Sequence, residues 1–138
     1  MATKTRDAGI KDNFEDDREL MDRFSRQIGA FGTTMMSKLI KMKVLVRGCT
    51  GVGAEVAKNL ILLGPKKVTL SDPTPVKIQD LGANFTLEEK DVEAKRSRAR
   101  ASLGELAQLN AACDVGVLEV EDEKGNRVEA KELTEDLL

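Results

Sequence analysis

The chain has 138 residues, enough for one domain with a modest core, and a formal net charge of −2 that leaves no basic excess for a phosphate backbone. It has no Trp, no Tyr and only 4 Phe, so it lacks the stacking platforms of single-strand nucleic-acid binders. With no His it also lacks the commonest general base and metal ligand. Cys49 and Cys113 have neither metal-type nor redox-type spacing and suit a reducing compartment as small buried residues. No apolar run is long enough to cross a bilayer and no signal-type segment opens the chain, so it reads as intracellular.

Residues 1–17 are polar and mixed in charge, and the expectation is a flexible tail. In 18–31, Leu20, Met21, Phe24, Ile28 and Phe31 recur at helical steps, predicting a short helix that Gly29 and Gly32 bring to a turn. Thr33 or Thr34 is placed to cap a second helix running to about Lys41, with Met35, Met36, Leu39 and Ile40 as its apolar side.

Lys43–Val46 is an apolar, β-branched run without alternation, the pattern of a strand buried on both faces. A glycine turn follows, with Gly48, Gly51 and Gly53. Val52, Val56, Leu60 and Leu63, widened by Ala57 and Ile61, then predict a helix that Gly64-Pro65 ends. Val68–Leu70 is the next strand, and Asp72 stands just past it. Strand, glycine turn, helix, strand and acid make one βαβ unit of a dinucleotide-type fold.

The turn departs from G-x-G-x-x-G, because Thr50 holds the place of the middle glycine, whose bareness lets backbone approach phosphate. Two readings stay open on the turn alone: a weak or absent nucleotide site, or a working site in which Gly51 takes over the role.

After Asp72, the two prolines of Pro73-Thr74-Pro75 open a loop at the C-terminal edge of the sheet, where open α/β sheets bind ligands. Residues 87–92 read as a connecting turn. Residues 93–110 read as a helix burying Ala99, Leu103, Leu106 and Leu109, with Ala107 beside them and Asn110 as its stop. Lys95, Arg96, Arg98 and Arg100 are expected to face solvent, Arg96 alone being able to turn toward the sheet. Val115–Val120 is the third strand, and right-handed crossovers predict the order third–second–first. The tail from Glu121 turns at Lys124-Gly125-Asn126, and residues 128–138 are left as a short helix or strand. The fold class is α/β, half of a Rossmann-like doubly wound parallel sheet with flanking helices. Its divisions are a tail at 1–17, the half-domain at 18–120 and an extension at 121–138. The sheet edge that half a doubly wound sheet exposes reads as the mark of a piece of a longer enzyme.

Five segments now combine: Phe24–Ile28, Val44–Gly64, Val68–Pro73, Asp80–Val92 and Leu106–Asn110. Together, in this order, they resemble the N-terminal part of ubiquitin-activating enzymes, a ThiF/MoeB-like fold in which a non-catalytic adenylation half faces a catalytic one. The resemblance implies the inactive half. Ala83, in Asp80-Leu81-Gly82-Ala83-Asn84-Phe85, stands where the catalytic half has an arginine for ATP phosphates, and a methyl group supplies no charge. Arg96 is matched to the family's catalytic lysine. Asp72 stands in place of the ribose-binding acid and, without phosphate contacts, reads as a structural strand-end acid.

The resemblance implies no catalytic residue of the chain's own and none for metal. Gly48, Thr50, Gly51, Gly53 and Asp72 form a degenerate nucleotide loop. Arg26 is the one trans contact, with Phe24 in place of the family's usual tyrosine: it would reach ATP held by the opposite half and offset phosphate charge. The alternative for Arg26 is a surface or interface arginine paired with a carboxylate. The parent enzyme would use ATP and Mg2+ to adenylate a modifier's C-terminus and pass it to a cysteine as a thioester. No cofactor is expected on this chain itself. The implied partners are the catalytic half, ubiquitin or a ubiquitin-like protein, and a conjugating enzyme, with no nucleic acid and no membrane, in cytoplasm and nucleus. The alternatives are the small subunit of a heterodimeric activating enzyme for another modifier (SUMO or NEDD8 type), and a nucleotide-binding adenylating or oxidoreductase domain.

Overall fold

A computed structural model describes residues 18–132. The expected tail at 1–17 and the last residues of the C-terminal extension lie outside that range. The chain divides into two compact units, one up to Ile40 and one from Lys41 onward.

The first unit holds α1 (Arg18–Arg23), α2 (Ser25–Phe31) and the start of α3 (Thr33–Lys41). The helix expected over 18–31 is therefore two helices, broken at Phe24, whose backbone (φ −102°, ψ 13°) leaves the helical basin. Phe24 is buried with Met36 and Ile40, while Met21, Ile28 and Leu39 pack around them. Turning Phe24 into this small cluster breaks the helix axis: burial of one ring decides the local backbone. Phe31 and Met35, assigned to the apolar sides, are exposed. Gly32 (φ 81°) ends α2 in a conformation that suits only glycine, and α3 starts on the next residue.

The second unit carries a parallel sheet. β1 (Lys43–Arg47) pairs with β2 (Lys67–Ser71) from Lys43↔Lys67 to Arg47↔Ser71. β2 pairs with β3 (Asp114–Val117) from Lys67↔Asp114 to Leu70↔Val117. The order β1-β2-β3 is the one that right-handed crossovers require. α4 (Gly51–Leu63) and α6 (Arg98–Gln108) are the crossovers, and a short α5 (Glu89–Glu93) precedes α6. Val46, Val68 and Leu70 of the strands meet Ala57 and Ile61 of α4 and Ala99 and Leu106 of α6 in an aliphatic core. At ~25 cal/mol per Å² of apolar area, these full burials supply most of the driving force for the unit.

Three expectations are corrected here. α4 buries Ala54, Ala57 and Ile61, and leaves Val52, Val56 and Leu63 exposed. Small residues at 54 and 57 let the helix backbone come close to the sheet, and the bulky residues fall on the opposite side. The helix expected from 93 starts at Arg98, since Lys95 takes a positive φ of 50° and Ser97 Oγ accepts the Arg100 N–H at 3.2 Å as an N-cap. Of its expected buried side, Ala99 and Leu106 are fully buried, Leu103 is half-buried, and Ala107 and Leu109 are exposed.

The third strand stops at Val117. Glu119–Glu121 (β4) instead turns back on Arg127–Glu129 (β5) as an antiparallel hairpin. Asp122 fixes that turn: its Oδ1 accepts the N–H of Lys124 at 2.9 Å and of Asn126 at 2.8 Å, and Gly125 takes φ 78°. The expected turn at Lys124–Asn126 is thus in place, with a strand after it.

Candidate functional site

The C-terminal ends of β1 and β2 converge on the glycine turn. Gly48 (φ 90°) donates its N–H to the Ser71 carbonyl at 2.8 Å, continuing the ladder one step past β1. Cys49 is buried, and both its backbone groups are taken. Its N–H donates to Asp72 Oδ2 at 2.8 Å, and its carbonyl accepts Asn84 Nδ2–H at 2.9 Å. Asp72 Oδ1 also accepts the Thr74 N–H at 3.1 Å. Asp72 therefore works as a structural acid that ties the turn to the end of β2.

The two glycines that open α4 are explained by backbone crowding. A Cβ on Gly53 would lie 1.8 Å from the Gly48 carbonyl oxygen, and one on Gly51 would lie 2.3 Å from the Ala83 carbonyl oxygen. The space beside Gly51 is thus filled by the chain itself. Thr50 stands just before them, exposed, as the N-cap residue, and its side chain makes no capping bond.

Asn84 is the buried pin beneath the turn. Its Oδ1 accepts from Thr86 N–H at 2.9 Å and Thr86 Oγ1–H at 2.6 Å, while Thr86 Oγ1 and Ser102 Oγ share a hydrogen bond at 2.7 Å. Every member is buried, so the network holds the 83–86 segment against α4 and α6.

The basic group at the strand ends is Arg98, not Arg96. Arg96 is more than half exposed and pairs with Asp91 at 3.2 Å. Arg98 is 15% exposed and binds Asp80 through two parallel bonds, Nε to Oδ2 at 3.0 Å and Nη2 to Oδ1 at 2.9 Å, with Nη1 3.8 Å from Asp72 Oδ2. The expectation that Arg98 faces solvent is overturned because the 74–76 segment bridges to 96–98: Arg98 N–H donates to the Thr74 carbonyl at 2.9 Å and Val76 N–H to the Arg96 carbonyl at 2.9 Å. That bridge presses the first turn of α6 against the end of β2. The Arg98 guanidinium holds the Asp80 carboxyl below its usual range, and Asp80 in turn keeps Arg98 charged.

The hairpin adds a third carboxylate. Glu129 of β5 accepts the Ser97 hydroxyl and has Arg100 Nε 3.9 Å away, while Arg100 Nη2 also binds Glu119 of β4. Burial pushes the Cys49 thiol up to about 12, helped by Asp72 and Glu129 and opposed by Arg98, and the balance favours the neutral thiol. Four carboxylates (Asp72, Asp80, Glu119, Glu129) surround two guanidiniums here, which disfavours a triphosphate on electrostatic grounds.

The structure thus brings Gly48, Thr50, Gly51, Gly53 and Asp72 together, while Arg26 lies exposed on α2 of the first unit. Sequence reasoning missed Arg98, Asp80, Asn84 and Glu129. For Arg98 a signal existed: Ser97 read as an N-cap starts the helix there and puts Arg98 in its first turn. Asp80 and Glu129 carried none. Among the described residues no cluster of His, Cys, Asp and Glu could hold a metal ion, and no helix is long and apolar enough to cross a membrane.

The ThiF family model matches residues 24–137. Ubiquitin-like modifier-activating enzyme 7 of Homo sapiens is 48% identical over 104 residues, covering 74% of this chain and 10% of the relative. A ubiquitin-activating enzyme of Arabidopsis thaliana is 43% identical over 97 residues, covering 70% and 9%. The chain thus spans about a tenth of the length of these curated relatives. Among solved structures, the E. coli tRNA N6-threonylcarbamoyladenosine dehydratase TcdA superposes with a TM-score of 0.60 at 22% identity, over 73% of this chain and 41% of that one. E. coli MccB gives 0.58 at 22% identity, over 75% and 33%. These two likenesses speak for the fold alone.

Proposed function

The chain belongs to the ThiF family and is related to the ubiquitin-activating enzymes, and from that premise we propose that it is the non-catalytic adenylation half of such an enzyme. In this reading the half turns over no ATP. The parent enzyme adenylates the C-terminus of ubiquitin or a ubiquitin-like protein with ATP and Mg2+, captures it as a thioester and hands it to a conjugating enzyme. This half lends its shape to the catalytic half.

The observation that carries the reading is the occupancy of the strand-end cleft by the chain's own groups. The cation at the cleft, Arg98, is already committed to Asp80 and Asp72. The Ala83 carbonyl oxygen abuts Gly51, where the sequence left open an approach for phosphate. Asp72, the candidate ribose acid, spends both oxygens on backbone N–H groups. Arg26 is exposed on α2, as a residue reaching into a partner half must be; there it would offset phosphate charge as the adenylate forms.

Calorimetry with ATP–Mg2+ tests the first part: the chain alone is expected to give no binding heat, and micromolar affinity refutes the inactive reading. The second part is tested in the assembled enzyme. Exchanging Arg26 for alanine is expected to slow ATP–pyrophosphate exchange and to leave the fold unchanged. An unchanged exchange rate removes the trans role.

A further inference from the structure

The lysines at the strand-entry end of the parallel sheet are charges that the cleft leaves unused. β1 and β2 begin side by side: the Lys67 N–H donates to the Met42 carbonyl at 3.4 Å, and Lys43 stands opposite Lys67 in the ladder. β3 brings Asp114 opposite Lys67 on the other side, and its N–H donates to the Lys66 carbonyl at 3.0 Å. Lys41, Lys43, Lys66 and Lys67 thus share one rim of the second unit, with Met42 exposed among them. Asp114 reaches Lys67 at 3.3 Å, but both groups are well exposed, which makes that pair weak. Lys41, Lys43 and Lys66 are exposed, and no ion pair among the described residues takes them up.

Helix ends explain part of this rim. Lys41 closes α3 and Lys66 follows the Gly64 cap of α4, and a cation beside a helix C-terminus is favourable. They do not explain Lys43 and Lys67. Those two face each other across neighbouring strands about 4.8 Å apart, and facing like charges destabilise a sheet. An anion held between them relieves the repulsion. The far end of the same sheet is rich in carboxylates, with Asp72, Asp80, Glu119 and Glu129 around Arg98 and Arg100. That end and the net charge of −2 repel a long polyanion, whether nucleic acid or an anionic bilayer. A short acidic segment senses the rim alone, because exposed charges are screened beyond about 8 Å at physiological salt. An extended chain suits it: alternate side chains lie about 7 Å apart on one side of such a chain, a spacing that flexible lysine stems can span.

We infer that the strand-entry rim is a docking surface for an extended acidic peptide segment of a partner protein, gripped by Lys41, Lys43, Lys66 and Lys67. It lies at the opposite end of the strands from the cleft, so it does not depend on whether this half binds nucleotide. The grip is electrostatic, which makes it fast to form and sensitive to salt.

The test is fluorescence anisotropy on the whole chain, with amide shifts mapped by NMR. The probe is a labelled peptide of about eight residues alternating glutamate and alanine, with its glutamine counterpart as control. The glutamate peptide is expected to bind, more weakly as salt rises, and to shift the amides of residues 41–43 and 66–67; the glutamine peptide is expected to do neither. K41Q/K43Q/K66Q is expected to stay folded by circular dichroism and to bind about tenfold more weakly, at about twofold for each exposed charge contact. K90Q/K95Q/K124Q removes as much charge from exposed lysines elsewhere in the same unit and is expected to cost less than about twofold. No binding of the glutamate peptide, amide shifts that miss the rim, or equal losses in the two triple variants overturns the proposal. So does tighter binding to phosphatidylserine vesicles or to a single-stranded oligonucleotide than to the peptide, or self-association of the chain that shuts the peptide out. The amide shifts need no variant, so the test survives a failure of K41Q/K43Q/K66Q to fold.

Discussion

Replacing Arg98 with methionine keeps most of the buried stem and removes the guanidinium. Two charge-assisted bonds to Asp80, at 3.0 and 2.9 Å, disappear, together with the 3.8 Å contact to Asp72. A net ~1.5–3 kcal/mol applies to each hydrogen bond to a charged group. Breaking a well-buried pair from one side costs ~3–5 kcal/mol, because the remaining charge stays behind. The partners here are 15% and 13% exposed, so water screens part of that and the low end applies, about 3 kcal/mol. For a unit of this size ~1 kcal/mol moves Tm by ~4–8 °C, so R98M should melt at least ~12 °C below the parent in calorimetry or circular dichroism. Arg98→Lys keeps the charge and loses the two-pronged geometry, and should fall between them. The double change R98M/D80N removes both partners and should recover part of the loss, with a coupling energy of about 2 kcal/mol. An R98M penalty below about 1 kcal/mol, or a coupling near zero, would show that Arg98 is a surface arginine after all and that the strand-end cluster is held by something else.

The same pair sets part of the acid limb. Asp80 has a lowered folded pKa, so its contribution to stability is present above the ordinary aspartate range and is lost as pH falls through the lower folded value. Urea titrations below about pH 4 should therefore show a shallower loss in R98M than in the parent chain. Gly53→Ala drives a Cβ into the Gly48 carbonyl oxygen and should cost at least ~3 kcal/mol or abolish folding, whereas Gly104→Ala, mid-helix in α6 with open space around it, should gain ~0.5–1 kcal/mol; equal effects at both sites contradict the crowding argument. Cys49, with its pKa pushed up to about 12, should resist a disulfide reagent at pH 8 in the folded chain and react once urea unfolds it; prompt labelling in the native state disproves the burial assigned to it.

Legibility differed from element to element for identifiable reasons. β1, the glycine turn, α4 and β2 follow from local signals: an apolar strand, positive-φ glycines and a glycine–proline stop. Those signals act within a few residues, so the sequence states them directly. The buried face of α4 was misread because Val52, Val56 and Leu63 are the bulkier residues, while Ala54 and Ala57 allow close approach to the sheet. Hydrophobicity ranks size, and helix-on-sheet packing here rewards smallness. The start of α6 was misread because residues 93–97 have helical composition, but the bridge between Pro75 and Ser97 fixes them in another path. That bridge joins residues some twenty apart, and no local propensity reports it.

The order of residues along the chain was enough to determine a βαβ unit, its continuation to a third parallel strand and the handedness that fixes strand order, because chirality and hydrophobic period operate on short stretches. It also stated the departure of the turn from G-x-G-x-x-G, because Thr50 and Ala83 can be read without coordinates. Only the tertiary structure decided what fills the cleft: the Arg98–Asp80 pair, the Asn84 pin and the hairpin carboxylate of Glu129. Each depends on groups separated by 16 to 35 residues meeting at hydrogen-bond distance. Such meetings follow from how strands, bridge and hairpin close in space, and charge or hydropathy read in sequence order does not encode them.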